Sequence, residues 1–119
     1  GADIVMINTP YGGYPLQRLK YLQTAQALSL PWCGIQPVMP SVGGGVHPGL
    51  VQRFITDLGK DIILAPGGSV QGHPGGATAG AKAMMQAIDA VVNEISLQEA
   101  AKQHSELRQA LSLWGILEV

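Results

Sequence analysis

Two glycine-rich segments carry the residues of this chain that are best suited to bind a ligand. Residues 43–45 and residues 67–68 are consecutive glycines, and each segment follows a short apolar run. Glycine lets the backbone approach an anion closely, and the amides at the start of a following helix point towards it. A single such loop is more often only a tight turn, but two in consecutive units favour a phosphate site. The predicted phosphate-binding residues are Gly44, Gly45, Gly67 and Gly68.

The three histidines do not indicate a metal site. His47, His73 and His104 are too far apart in the sequence to match a metal-binding spacing. His47 and His73 each precede a proline in a predicted loop, and we expect their side chains to bond nearby carbonyls and hold those loops in place.

The other residue types with chemical potential are predicted to be structural. Asp57, Asp61 and Asp89 are interpreted as helix-end or exposed charges, and the single cysteine, Cys33, as a small buried apolar residue. No nucleophile elbow, Walker loop or three-glycine dinucleotide fingerprint occurs. The sequence therefore predicts no catalytic residue and no metal ligand within this chain.

Alternating apolar runs, glycine-rich loops and helical stripes predict the order β-loop-α three times over. The predicted strands are residues 3–7, 34–39 and 62–65. The helical stripes contain Leu16, Leu19, Leu22 and Leu28, then residues 50–58, then residues 81–92. Strands that alternate with helices pair in parallel, so we expect an α/β fold with a parallel sheet.

Four residues mark the predicted ends of helices. Gly59 and Gly115 lie where a helix would stop, and Ser96 with Glu99 has the form of a capping box that begins a further helix. The last helical stripe ends at Trp114, and we interpret it as packing on the helix before it.

Composition limits the partners that this chain could have. It has 119 residues, 46% of them hydrophobic and 13% charged, with a formal net charge of −1. The scattered basic residues form no stripe that nucleic acid or an anionic membrane would require. No apolar run approaches the ~20 residues that span a bilayer. We expect a soluble, cytoplasmic protein that binds neither nucleic acid nor membrane.

Two blocks of this sequence resemble the large chain of RuBisCO. Residues 39–47 read Met-Pro-Ser-Val-Gly-Gly-Gly-Val-His, and residues 67–74 read Gly-Gly-Ser-Val-Gln-Gly-His-Pro, followed by Gly80-Ala81. The resemblance extends over nearly the whole chain. It implies that residues 1–119 are the C-terminal part of a (β/α)8 TIM barrel domain. It also implies that the Gly45 and Gly67-Gly68 backbones bind one phosphate of a phosphorylated ketose-type substrate.

Two departures from the family pattern bear on the expected reaction. Carboxylating members have a lysine in the loop after the sixth barrel strand, whereas residues 8–14 here contain none, and they have a serine where this chain has Gly43. The chain therefore resembles the RuBisCO-like proteins without carboxylase activity. These include enolases and isomerases of methionine salvage, in which magnesium holds an enolate. A non-catalytic structural or phosphate-binding module is the alternative.

The resemblance also implies what this chain does not supply. In the family, the magnesium ligands lie on the second barrel strand, which would precede Gly1. We therefore expect a piece of a barrel that has no cofactor site of its own. Because the other five strands would cover the inner face of the sheet, we expect that the chain forms a homo-oligomer.

Overall fold

The computed structural model of the protein describes residues 1–12 and 17–117. Within them, three strands form one parallel sheet in the order β1-β2-β3, with helices between and after the strands. The elements are β1 (Ile4–Asn8), α1 (Arg18–Ser29), β2 (Met39–Gly43), α2 (Val51–Leu58), β3 (Ile63–Ala65), α3 (Gly68–Gln71), α4 (Ala77–Val92), α5 (Leu97–Gln103) and α6 (Ser105–Trp114). The predicted parallel α/β architecture is confirmed. Leu16, Gly13 and Tyr14 lie outside the described residues.

The second strand lies later in the chain than the sequence pattern predicted. Residues 34–38 are not a strand, and β2 begins at Met39 and continues through Pro40, beyond the predicted end of the strand. Proline lacks the N–H that a ladder requires. It is tolerated here because β3 pairs only with residues 41–43, so no β3 residue lies opposite Pro40.

The segment before β2 also corrects the prediction for Cys33, which is exposed rather than buried. Trp32 and Ile35 form an isolated antiparallel bridge, and the Ile35 amide donates to the Trp32 carbonyl at 2.8 Å. Cys33 and Gly34 form the turn between them with φ values of 48° and 77°. Two successive positive φ values are the pattern of a tight hairpin turn, which directs the central residues into solvent.

The predicted helix ends are largely confirmed. Gly59 and Gly115 follow α2 and α6 with φ values of 82° and 77°, a conformation that glycine adopts without strain. Ser96 Oγ accepts from the Glu99 amide at 3.1 Å, as in a capping box. The Glu99 carboxylate instead accepts from Lys102 Nζ at 2.9 Å, so only the serine half of the box is formed.

The hydrophobic core lies between one face of the sheet and the helices. Ile7 of β1 and Val42 of β2 point into it, where Tyr21 of α1 and Phe54 of α2 are fully buried. Helices α4, α5 and α6 extend this core through Met84, Val91, Leu97 and Leu107. One layer of helices therefore supports the sheet from this side.

The opposite face of the sheet exposes apolar side chains. Ile4 and Met6 of β1 have exposed fractions of 54% and 64%, and Met39 and Ile63 are each 37% exposed. These residues alternate with the core residues along their strands, as the two faces of a sheet require. This is the face that the sequence predicted to be open.

We predict that the 119-residue chain on its own associates with itself. Fully burying each such side chain is worth about 1.5 to 3 kcal/mol, so two open faces gain stability by stacking. A two-fold dimer is the expected form. Sedimentation equilibrium at micromolar concentration measures it, and a monomer with sharp, dispersed amide resonances would contradict the prediction.

Candidate functional site

The three strands end in step, which brings their following loops to one edge of the sheet. In the parallel register, Asn8 lies beside Gly43, and Gly43 lies beside Ala65. In parallel α/β folds, ligands bind at this carboxyl edge. Here the loops surround an open cleft of about 550 Å³.

All four glycines that the sequence singled out line this cleft. Gly44 and Gly45 come from the loop after β2, and Gly67 and Gly68 from the loop after β3. The loop after β1 adds Tyr11 and Gly12. The structure therefore brings the predicted residues together, whereas their binding of phosphate stays a prediction.

The backbones of the first two loops lie in close contact. Gly44 and Gly45 have φ values of 85° and 78°, which side chains rarely allow. A Cβ on Gly45 would lie 2.7 Å from the Gly12 Cα, and a Cβ on Gly12 would overlap the Gly44 carbonyl. Thr9 Oγ1 donates to that same carbonyl at 3.2 Å. These contacts fix the loop after β1 against the loop after β2.

Both glycines of the third loop face open space. A Cβ on Gly67 or Gly68 would meet no protein atom within 4 Å. The turn of α3 begins here, since the Val70 amide donates to the Gly67 carbonyl at 3.1 Å. Ser69 Oγ donates to the Val46 carbonyl at 2.7 Å and joins this loop to the loop after β2. The space beside Gly67 and Gly68 is therefore available to a ligand.

His47 is a lining residue that the sequence interpreted only as a loop anchor. Its Nδ1 accepts from the Gly49 amide at 3.2 Å, so the ring bonds an amide and not a carbonyl as predicted. The acceptor role of Nδ1 places the proton of the neutral ring on Nε2. Burial lowers the pKa of His47 and favours this neutral form.

Trp114, also missed from the sequence, reaches the cleft from the end of α6. Its ring stacks on the His47 ring with centroids 6.1 Å apart and planes 22° apart. Behind this pair, the Leu117 amide donates to the Gly49 carbonyl at 3.1 Å. No local pattern in the sequence indicates this contact, because the two rings come from distant segments.

His73 holds its loop as predicted. Its Nδ1 accepts from the Gly75 amide at 2.9 Å, and its Nε2 bonds the Glu106 carbonyl at 2.8 Å. Since the first bond requires an unprotonated Nδ1, Nε2 carries the proton and donates. His73 thereby links the loop before α4 to the first turn of α6.

Asp57 lies in the last turn of α2, in agreement with the helix-end prediction, but it is buried rather than exposed. Its side chain is only 1% exposed and lies at the centre of a polar cluster. Tyr11 Oη donates to Oδ2 at 2.7 Å and Arg18 Nη2 to Oδ1 at 2.9 Å. Tyr21 Oη donates at 3.3 Å, and Arg53 Nε lies 3.2 Å from Oδ1. We call these five residues the Asp57 cluster.

The charge of Asp57 is stabilised within this cluster. Burial alone would raise the pKa of the carboxyl, but hydrogen bonds from Tyr11 and Arg18 and the charge of Arg53 outweigh that effect. The pKa of Asp57 is therefore lower than usual, and the group is ionised at neutral pH. A buried charge is tolerated when it is paired and hydrogen-bonded in this way.

The described residues offer neither a metal centre nor a membrane span. Across residues 1–12 and 17–117, no group of three His, Cys, Asp or Glu side chains could hold a metal ion. Among the helices of that same part of the chain, none is long and apolar enough to cross a bilayer.

The sequence matches the family model of the ribulose bisphosphate carboxylase large chain, catalytic domain, over residues 21–114. The chain belongs to the RuBisCO large-chain family. A RuBisCO-like protein from Alicyclobacillus acidocaldarius is similar in structure to this family member, with a TM-score of 0.89 and 43% identity. That comparison covers 97% of this chain and 29% of the other. The predicted family and fold class are confirmed.

Relatives with two different names are similar to this RuBisCO-family chain. A 2,3-diketo-5-methylthiopentyl-1-phosphate enolase from Geobacillus kaustophilus is 40% identical over 119 residues, which are 100% of this chain and 29% of the enolase. A ribulose bisphosphate carboxylase from Archaeoglobus fulgidus is 54% identical over 81 residues, which are 68% of this chain and 18% of the carboxylase. The chain thus spans less than a third of either relative.

We predict that His47→Asn reduces the loss of stability in mild acid. Because the folded state lowers the pKa of His47 below 6.5, the unfolded state binds the proton more readily. Stability from this group is therefore present above about pH 6.5 and decreases as pH falls towards the folded pKa. Asparagine keeps an acceptor for the Gly49 amide but does not titrate.

Urea unfolding measured between about pH 7.5 and 5 provides the test. The free energy of unfolding should fall less steeply with pH in the variant than in the unmodified chain. Since His73 and His104 are present in both, parallel slopes would contradict the assignment to His47.

Proposed function

We propose that this chain supplies the phosphate-binding loops of an active site for a phosphorylated ketose-type small molecule. The reaction proposed for the whole protein is that of an enolase or isomerase of the methionine-salvage type, and not carbon dioxide fixation. The observation that carries the proposal is the convergence of Gly44, Gly45, Gly67 and Gly68 on one cleft at the carboxyl edge of a parallel sheet.

The chemistry of the cleft suits a phosphate group. Glycine backbones from two loops leave room for an anion beside their amides, and Ser69 holds the two loops together through its bond to Val46. The His47 ring adds a polar wall. The described lining includes no lysine or arginine, so we expect the loops alone to bind phosphate weakly.

Sequence features favour the enolase branch over carboxylation. The relative from Geobacillus kaustophilus, whose name describes an enolase acting on a phosphate ester, aligns with every residue of this chain. The carboxylase with higher identity aligns with 81 residues. The family resemblance associates a lysine in the loop after β1 with carboxylation, and residues 8–14 contain no lysine.

Magnesium belongs to the proposed whole site but is not assigned to this chain. The described residues include no cluster that would hold the ion. When bound elsewhere in the site, magnesium would stabilise an enolate. The role proposed for these residues is limited to binding and orienting the phosphate end of the substrate.

A non-catalytic phosphate-binding or structural module is the second candidate. The cleft lining favours it, since Tyr11 and His47 are the titratable side chains that the described lining provides. A module of this kind would bind phosphate but would not convert a phosphorylated substrate, even when the rest of a barrel was supplied.

We predict that inorganic phosphate shifts the backbone amide resonances of Gly44, Gly45, Gly67 and Gly68. A dissociation constant of about 1 mM is expected, which corresponds to about 4 kcal/mol. Gly67→Ala should weaken binding about fivefold or more, because its methyl group would occupy the anion's space. The structure has no protein atom within 4 Å of that methyl position, so the melting temperature should not change.

The matched control is Gly1→Ala, since Gly1 also has open space at its Cβ and lies before β1, away from the cleft. A phosphate titration followed by amide chemical shifts compares the three chains. The site assignment fails if other amides move while these four glycines stay still, or if both alanine variants bind equally well.

We further predict that the 119-residue chain alone shows no enolase, isomerase or carboxylase turnover, with or without magnesium. The reason is that an enolate needs metal ligands that the described residues do not provide. Turnover that scales with the concentration of purified chain and disappears with a chelator would refute this. Mixing the chain with the remainder of a relative's barrel would separate the two candidate functions. Activity should return if the chain is part of an enzyme active site, but not if it is a non-catalytic module.

A further inference from the structure

The Asp57 cluster is a buried polar group that the proposed phosphate site does not use directly. It contains a buried carboxylate with two tyrosine hydroxyls and two guanidinium groups around it. One of its members, Tyr11, also lines the cleft. Tyr11 is therefore the physical link between helix α2 and the candidate site.

Tyr11 is held at both of its ends. Its hydroxyl donates to Asp57 at 2.7 Å and accepts from Arg53 Nε at 3.0 Å. Its amide donates to Thr9 Oγ1 at 3.2 Å, and its carbonyl would lie 3.3 Å from a Cβ on Gly45. The Tyr11 hydroxyl is therefore bonded to residues of α2, while the Tyr11 backbone lies against the cleft.

The ring between these ends has little freedom. It packs edge-on against Tyr21 with centroids 6.2 Å apart and against Phe54 with centroids 5.8 Å apart. Both neighbours are fully buried, so neither can move aside without opening the core. A ring confined in this way transmits the position of its hydroxyl to its backbone.

The backbone next to Tyr11 is the part of the loop that the cleft depends on. Gly12 lies against Gly44 and Gly45 with no room for a side chain between them. A small shift of Tyr11 would therefore move Gly12 away from the two glycines or into them. Phosphate binding by backbone amides depends on such placement, because hydrogen bonds weaken steeply with poor geometry.

We propose that Asp57 is a positioning residue for the phosphate cleft, and that it acts through the Tyr11 hydroxyl to fix Gly12 against Gly44 and Gly45. This inference rests on the proposed function, since the quantity that it controls is phosphate affinity. Arg18 and Arg53 keep the carboxylate charged and in place, and they do not line the cleft themselves.

Tyr11→Phe is the direct test, because it removes only the hydroxyl that joins the two ends. Tyr21→Phe is the matched control: it removes a second hydroxyl from the same carboxylate, at 3.3 Å, but from a helix that does not line the cleft. Asp57→Asn serves as a second variant that removes the charge and keeps an acceptor. All are prepared in the 119-residue chain, titrated with inorganic phosphate and followed by amide shifts.

We expect Tyr11→Phe and Asp57→Asn to raise the dissociation constant for phosphate about fivefold, the order expected for one well-placed hydrogen bond. Tyr21→Phe should leave it within about twofold of the unmodified value. Melting temperatures are measured in parallel, because a purely structural role would lower stability and leave the affinity of the folded chain unchanged.

The outcomes separate this inference from the proposed function. If the unmodified chain shows no phosphate shifts at the four glycines, the proposed function fails and the inference fails with it. If the unmodified chain binds and Tyr11→Phe binds as tightly as Tyr21→Phe, the inference alone is overturned. Loss of amide dispersion in both Tyr11→Phe and Asp57→Asn would assign the pair to folding and would also overturn it.

Discussion

The close backbone approach of the loops after β1 and β2 is the constraint on which the rest of the site depends. Gly12 and Gly45 leave no volume for side chains between the loops, and Gly44 and Gly45 adopt φ values that other residues avoid. Because the strands end in step, both loops begin at the same edge and must pass each other there. The two loops can pass this closely because glycine has no side chain.

Electrostatics around this crossing are divided between two sides. The guanidinium groups of Arg18 and Arg53 are paired with Asp57 behind the loop, whereas the cleft itself offers backbone and uncharged side chains. Pairing a buried carboxylate with two cations avoids the cost of an isolated charge in the core. Because they are paired with Asp57, Arg18 and Arg53 are not direct ligands in the cleft. They stabilise the loop behind it instead.

The sequence predicted the parallel α/β order and the four cleft glycines because these depend on local patterns. Glycines after apolar runs report loops at strand ends, and helix-stop signals such as Gly59 are read from a few neighbours. The start of β2 was missed because Pro40 is normally excluded from a strand, and only the register shows that β3 leaves it unopposed. No local pattern indicates that Trp114 stacks on His47, because the two rings come from distant segments.

Asp57 lies between the features that local patterns predict and those that only the fold brings together. It lies three residues after the buried Phe54 and four after Arg53, so helical spacing places it on the inner side of α2 beside a cation. An acidic residue on an apolar face was a usable signal, but it was interpreted as a helix-end charge. Its partners Tyr11 and Tyr21 come from other elements, and the geometry of the fold alone brings them together.

The contact between His47 and Trp114 has a consequence for the order in which the chain acquires its shape. In the sequence, strand β3 and helices α2 to α5 all lie between the two rings. During synthesis, the N-terminal part of a chain is available to fold first. The glycine loops can therefore meet while the wall formed by Trp114 and the bond from Leu117 to Gly49 is still absent. Helix α6 must therefore leave the ribosome and dock before Trp114 can close this side of the cleft.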